Sequence, residues 1–260
     1  MLGVGIDAGS RATKIVLMDI DSLEAVASGS IEQGIKHNDL AMELLDRLLI
    51  DNGFTKSDIE RVVATGYGRN AISIADTTIT EITCHARGVI HVVPEARTVV
   101  EIGGQDSKLL KLTEQGTVQD FAMNDRCAAG TGRFLEVIAS RLGVRLEDLG
   151  EMSAKSISPA SISSMCIVFA ETEIIGLLAS GTAPEDIVAG VQNSIATRIA
   201  TMAGKSITPP VVFTGGVAMV SGMDRALEHV LSYPVKIAPN PQMTGALGAA
   251  ILASSQARKS

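Results

Sequence analysis

Apolar positions along the chain fall into two rhythms, and the order in which they alternate predicts the architecture. Leu2–Asp7 is a short apolar run ending in Asp7-Ala-Gly-Ser10, and Thr13–Asp19 and a run around Ala25–Ile31 follow at hairpin spacing. Three such runs joined by short turns predict an antiparallel meander. Leu40, Leu44, Leu45, Leu48 and Leu49 then recur with helical period over Leu40–Ile50, and Asn52-Gly53 closes the segment. Arg61–Thr65 reads as a buried strand running into Gly66-Tyr-Gly-Arg69, and Ile79–Gly88 as a helix. After Pro94 the order restarts: strands at Thr98–Ile102, Ser107–Leu112 and Thr117–Ala122, then a helix over Arg133–Leu142. A long helix from about Pro184 to Ala203 follows, then a strand at Val211–Thr214, a helix near Val220–Leu231, a strand at Val235–Ala238 and a helix from about Thr244. One unit therefore occurs twice, in element order rather than in residue identity. This implies two pseudo-equivalent lobes with a cleft between them, residues 1–95 and 96–260.

Composition narrows the class. With 260 residues, 46% apolar and only 3% aromatic, the chain can bury a core built from Ala, Val, Ile, Leu and Gly, as α/β sheets covered by helices do. A net charge of -7 without a Lys/Arg block argues against nucleic acid or an anionic membrane as partner. The first residues meet Asp7 without a basic region, so they read as a strand rather than a signal peptide, and no apolar run reaches the ~18 residues of a membrane span. The expected location is cytoplasmic. Three cysteines in a reducing compartment are more often core thiols, ligands or nucleophiles than disulfides.

The chemistry concentrates at glycine turns. Asp7-Ala-Gly-Ser-Arg-Ala-Thr-Lys14, Glu101-Ile-Gly-Gly-Gln-Asp106 and Phe213-Thr-Gly-Gly-Val217 all end predicted strands. Glycine lets backbone N–H groups approach a bulky anion, and Ser10, Thr13 and Lys14 add donors and a positive charge. Asp7 beside such a loop would repel phosphate unless a divalent cation, Mg²⁺ held largely through water, stood between them. There is no Gly-x4-Gly-Lys-Ser/Thr, which excludes a P-loop. Gly3-Val-Gly-Ile-Asp-Ala8 formally satisfies the dinucleotide fingerprint, but a strand pattern follows where that fold needs a helix. Cys127, in Met123-Asn-Asp-Arg-Cys-Ala-Ala-Gly-Thr-Gly-Arg133, reads as a cysteine at a helix N-terminus beside a glycine-lined space, and Cys166 opens a second apolar segment. On these grounds alone either thiol is a nucleophile, a metal ligand or a core residue. Cys84 sits inside a predicted helix and reads as a core thiol.

The three turns resemble, in order and across the whole chain, the phosphate-1, phosphate-2 and adenosine motifs of the acetate and sugar kinase/Hsp70/actin superfamily. More closely, Cys127-Ala-Ala-Gly-Thr-Gly-Arg-Phe-Leu135, Ala64-Thr-Gly-Tyr-Gly-Arg-Asn70, Thr83-Cys-His-Ala86 and Thr244-Gly-Ala-Leu-Gly-Ala-Ala250 resemble the activator ATPases of 2-hydroxyacyl-CoA dehydratases, within the BadF/BadG/BcrA-type group. The resemblance implies an α/β fold of two actin-like (ribonuclease H-like) lobes with mixed sheets and an ATP cleft between them. It implies Gly9, Ser10, Arg11, Ala12, Thr13, Lys14, Gly103, Gly104 and Gln105 as phosphate contacts and Gly215, Gly216 and Val217 along the nucleoside. Gly130 and Thr131 are implied as a further phosphate or ribose contact, and Asp7, Gln105 and Asp106 as the groups around Mg²⁺ and the attacking water. It implies that Cys127 and Cys166 hold one [4Fe-4S] cluster per homodimer, two thiolates from each chain. It further implies reduction by ferredoxin or flavodoxin and transient pairing with an iron–sulfur (R)-2-hydroxyacyl-CoA dehydratase. Arg11, Glu101 and Met219 depart from the superfamily pattern. The alternatives are an ATP-binding subunit of a benzoyl-CoA reductase-type enzyme and an iron-free small-molecule kinase.

Overall fold

A computed structural model describes residues 1–260 except 33, 35, 164, 165, 205, 206, 259 and 260. The chain divides into two compact units. The first holds Met1–Glu95, Thr113–Val118 and Gln242–Ser260; the second holds Ala96–Leu112 and Gln119–Pro241.

In the first unit, β1 (Leu2–Ala8), β2 (Ala12–Asp19) and β3 (Ala25–Glu32) form the meander, and β4 (Ile59–Thr65) and a two-residue β5 (Thr77–Thr78) complete a sheet ordered β3-β2-β1-β4-β5. β1 runs antiparallel to β2 and parallel to β4. Every residue of β1 is buried, as expected of a central strand covered on both faces. One face packs on α1 (His37–Asp51) through Ala41, Leu44, Leu45, Leu48 and Leu49. The other is covered by α8 (Thr244–Ala257), whose Ala246 and Ala250 pack on Val16 and Met18 while Ala249 and Ala253 pack on Val63 and Cys84. Small residues set the approach of that helix. A Cβ placed on Gly5 would strike the Ala246 carbonyl oxygen, and one placed on Gly248 would strike the Cys84 carbonyl oxygen of α2 (Glu81–Val92).

The second unit repeats the plan. β6 (Thr98–Ile102), β7 (Ser107–Leu112), β8 (Val118–Asn124), β9 (Val211–Thr214) and β10 (Val235–Ile237) form a sheet ordered β10-β9-β6-β7-β8. Here β6 is antiparallel to β7 and parallel to β9, as β1 is to β2 and β4. Its core gathers Val100, Ile102, Phe213, Ile138 of α3 (Gly132–Leu142), Ile195 of α6 (Pro184–Ala203) and Leu227 of α7 (Met223–Leu231). α4 (Leu149–Ala154) and α5 (Ile167–Ala179) lie between α3 and α6 in sequence. The duplicated element order holds, strand for strand.

The expected division at 95/96 falls where the first unit's main segment ends, but the range 96–260 is not one lobe. Gln242–Ser260 belongs to the first unit because α8 supplies the apolar cover for one face of that unit's sheet. Thr113–Val118 joins it too, with Gly116 against Ile90. Helix starts shift by up to a turn: α2 begins at Glu81, capped by the Thr80 side chain, and α7 at Met223.

Candidate functional site

The first unit's turn is a hairpin end. Asp7 faces Lys14 across the β1–β2 ladder, Ala8 faces Thr13, and the Gly9 N–H donates to the Ala12 carbonyl at 3.2 Å. Asp7 is 5% exposed and its carboxylate lies 3.3 Å from Lys14 Nζ. Gly66, just past β4, has φ +91°, and a Cβ there would lie 2.5 Å from the Ala8 carbonyl oxygen and 2.6 Å from Asp7 Oδ1. Gly245, in the first turn of α8, borders Asp7 Oδ2. Ser10 is half-buried and Arg11 exposed, so the tip of the turn is open while its base is packed.

The second unit builds the same object. Glu101 faces Lys108 across the β6–β7 ladder, and the Gly103 N–H donates to the Asp106 carbonyl at 2.9 Å. Lys108 Nζ donates to Glu101 Oε2 at 2.9 Å and to Asp106 Oδ2 at 2.6 Å, and Lys108 is only 2% exposed. Gly215, just past β9, also has φ +91°, and a Cβ there would lie 2.7 Å from Glu101 Oε1. Gln105 projects at the exposed tip. A Cβ on Gly216 would meet nothing within 4 Å, whereas Val217 is buried, with its side chain against Gly132. Met219, 59% exposed, is the large side chain at this turn.

A third segment docks on that second turn. The N–H groups of Gly132 and Arg133 donate to the carbonyls of Gly103 and Gly104, both at 2.9 Å. The buried Thr131 hydroxyl donates to the Ala128 carbonyl at 2.7 Å and lies 3.2 Å from that of Gly104. Thr131 also caps α3, accepting from the Arg133 N–H. Its side chain is therefore a clamp between loop and turn, and Gly130 beside it is buried. Cys127 does not stand at the N-terminus of α3: a single 3-10 turn, Ala128–Gly130, separates them. Asn124 fixes the cysteine's backbone from both sides, accepting the Cys127 N–H at 3.0 Å and donating to its carbonyl at 2.7 Å. Cys166 does occupy the N-cap position of α5 and is exposed, while Cys127 is half-buried; neither forms a disulfide. Cys84 is fully buried, and loss of hydration pushes its thiol up to about 12.

Two implied groups can be tested against these residues. Among the described residues no three His, Cys, Asp or Glu side chains are grouped as a metal would need. A [4Fe-4S] cluster, which takes about four thiolates, fits the donor set only as two thiols from each of two chains, and the accessible Cys127 and Cys166 are suited to that. Direct ligation of Mg²⁺ by Asp7 or Asp106 does not fit, because each carboxylate already holds a lysine ammonium.

The pairs Asp7/Lys14 and Glu101/Lys108 share a spacing of seven residues. That repeat is present in the sequence, and its meaning needs the ladder that sets each acid opposite its lysine. Asn124 carries no such signal, since its role follows from the local fold of the loop.

The ATPase-family model described as "BadF/BadG/BcrA/BcrD ATPase family" matches residues 4–253. The chain belongs to that family. Among relatives, the activator of lactoyl-CoA dehydratase from Anaerotignum propionicum is 44% identical over 264 residues, covering 100% of both chains. The structure of the activator of the 2-hydroxyisocaproyl-CoA dehydratase from Clostridium difficile, with bound ADPNP, superposes with a TM-score of 0.94 at 43% identity, covering 100% of this chain and 96% of that one. Component A of the Acidaminococcus fermentans (R)-2-hydroxyglutaryl-CoA dehydratase superposes with a TM-score of 0.94 at 42% identity, covering 99% of each chain. Both confirm the α/β architecture of this ATPase family, with its two mixed five-stranded sheets.

Proposed function

We propose that the protein is an ATP-dependent one-electron donor that activates an (R)-2-hydroxyacyl-CoA dehydratase through a [4Fe-4S] cluster shared by a homodimer. The observation that carries this reading is the docking of the Cys127 loop on the glycine turn: Gly132, Arg133 and Thr131 bind the Gly103 and Gly104 carbonyls. A turn that shifts as phosphate is bound or released would move the cysteine loop with it.

In this reading the phosphates meet Gly9, Ser10, Arg11, Ala12, Thr13 and Lys14 of the first unit and Gly103, Gly104 and Gln105 of the second. Gly215, Gly216 and Val217 line the nucleoside. Gln105, at an exposed turn tip, orients the water that attacks the γ-phosphate, as glutamine does in other NTPases. Asp7 and Asp106 order that water while their lysines limit repulsion of the polyphosphate. Gly130 and Thr131 add the further phosphate or ribose contact, and the Thr131 hydroxyl also holds the loop on the turn. The cluster, when bound, supplies a low-potential one-electron couple, refilled by ferredoxin or flavodoxin. Cys127 and Cys166 are its ligands from each chain.

The dimer has its own support. α5 buries only Ala170 and Ile174, and leaves Val168, Phe169 and Ile175 exposed directly after Cys166. An apolar helix face of this kind beside a ligand cysteine suits coverage by a second copy. Among the described residues no helix is long and apolar enough to cross a membrane, in keeping with a cytoplasmic electron carrier.

The test is anaerobic purification with iron analysis. A brown dimer with about four irons, which Cys127→Ser or Cys166→Ser renders colourless, and which drives ATP-dependent activation of a dehydratase, is the expected outcome. A colourless monomer that phosphorylates a small molecule would falsify the reading.

A further inference from the structure

Beyond any contact with phosphate, each of the two strand-end lysines is held by an acid of its own unit. Each lies seven residues after an acid and directly across a ladder from it. Each acid's carboxylate fills space that glycines leave open. Glu101 Oε1 would lie 2.7 Å from a Cβ on Gly215 and 3.3 Å from one on Gly103, and Asp106 Oδ1 would lie 2.9 Å from that same Gly103 position. In the first unit Asp7 Oδ1 borders Gly66 and its Oδ2 borders Gly245. The carboxylates thus converge beside the turns that the reading above assigns to phosphate, where a hard divalent cation would be expected to take oxygen ligands. Lysine is there instead. Lys108 Nζ takes one oxygen from each of Glu101 and Asp106, at 2.9 and 2.6 Å, and it is 2% exposed.

We propose that Lys14 and Lys108 are resident counter-cations, one in each unit, that occupy the strand-end carboxylates and close them to direct metal ligation. A divalent ion then arrives with the nucleotide and is held by phosphate oxygens and water. The charge arithmetic favours this. Glu101 and Asp106 carry two negative charges, and Lys108 reduces the buried group to a single one. Burying a lysine is costly unless its partners are ionised and well placed. A neutral side chain at 108 would leave two converging carboxylates that only protons or a metal could compensate. The purpose is distinct from metal-based phosphate binding: the polyphosphate meets a turn whose acids are already partly neutralised by lysine, with or without a free divalent ion present.

The assignment rests on reading the turns as phosphate sites, so the test has separate arms. Mn²⁺ uptake by the nucleotide-free, full-length protein is followed by loss of the free-ion paramagnetic resonance signal. Wild type is expected to take up no Mn²⁺ to about 1 mM, the weak end of protein divalent sites. Folded Lys108→Met is expected to gain one site per chain, which the double variant Glu101→Gln/Lys108→Met loses again. A role confined to stability would not create a metal site. Tight Mn²⁺ uptake by nucleotide-free wild type, abolished in Asp106→Asn, overturns the proposal, as does a folded Lys108→Met that gains none. If Lys108→Met does not fold, the wild-type and Asp106→Asn arm decides alone. Calorimetry with ADP is run in parallel, and removing Mg²⁺ with a chelator should weaken wild-type binding by less than about tenfold, or 1.4 kcal/mol. Absence of ADP binding under all conditions would sink the phosphate reading rather than the counter-cation assignment.

Discussion

Gly66 and Gly215 hold the same conformation at the same place in each sheet, φ +91° immediately after the fourth strand of the plan. Each backs onto a strand-end acid, and each would drive a Cβ into the neighbouring backbone carbonyl, that of Ala8 or of Ile102. Alanine at either position meets both the left-handed penalty and a clash, so we expect a loss of at least about 2 kcal/mol at each site in urea unfolding. Cys84 offers a second check. With its thiol raised from 9.0 to about 12 by burial, it stays protonated in the folded chain while an unfolded chain ionises. That contribution to stability is complete below pH 9 and is lost as pH rises towards 12, with a slope of up to about 1.4 kcal/mol per pH unit. Comparing urea midpoints from pH 8 to 10 in wild type and Cys84→Ala should show this slope only in wild type. In the native apo-protein, alkylation should modify Cys127 and Cys166 and leave Cys84 untouched until denaturant is added.

α5 shows how far pattern reading reaches. Its apolar residues read as a segment opened by Cys166, but periodicity could not say that Val168, Phe169 and Ile175 among them face outward. Of this helix only Ala170 and Ile174 are fully buried; Ile167, Leu177 and Leu178 pack partly against the core, while Val168, Phe169 and Ile175 stay exposed. Phe169→Asp should therefore leave the helical content unchanged and abolish the proposed dimer, read by sedimentation, together with retained iron. The strands and their order were legible because alternating apolar runs and glycine turns report local chemistry. The hidden features were those that local pattern does not encode: the two-residue β5, the short α4, the 3-10 turn that sets Cys127 off from α3, and the clamp of Thr131 on Gly104. The three glycine turns were readable as turns at strand ends, while the lysine that locks each acid became meaningful only once the ladder set them face to face.

The order of the chain and the order of its packing differ. The helix that covers one face of the first unit's sheet, α8, follows the whole second unit in sequence. A chain ending at Pro241 should leave Val16, Met18, Val63 and Cys84 without their cover and aggregate on expression, because an exposed apolar sheet face of this kind associates. Supplying residues 242–260 as a separate peptide should restore solubility if packing alone is missing; a soluble, stable truncation would show that α8 is dispensable.

Gly248 sits so close to the backbone of α2 that no side chain fits between the two helices there, and α8 is the last helix of the chain to be made. During synthesis, then, the N-terminal residues leave the ribosome with one flank bare and keep it bare until the second unit has been made. A chaperone that shields apolar sheet surface has its longest opportunity in that interval, and cells lacking one should lose this protein by aggregation of nascent chains before any defect of the finished molecule is felt.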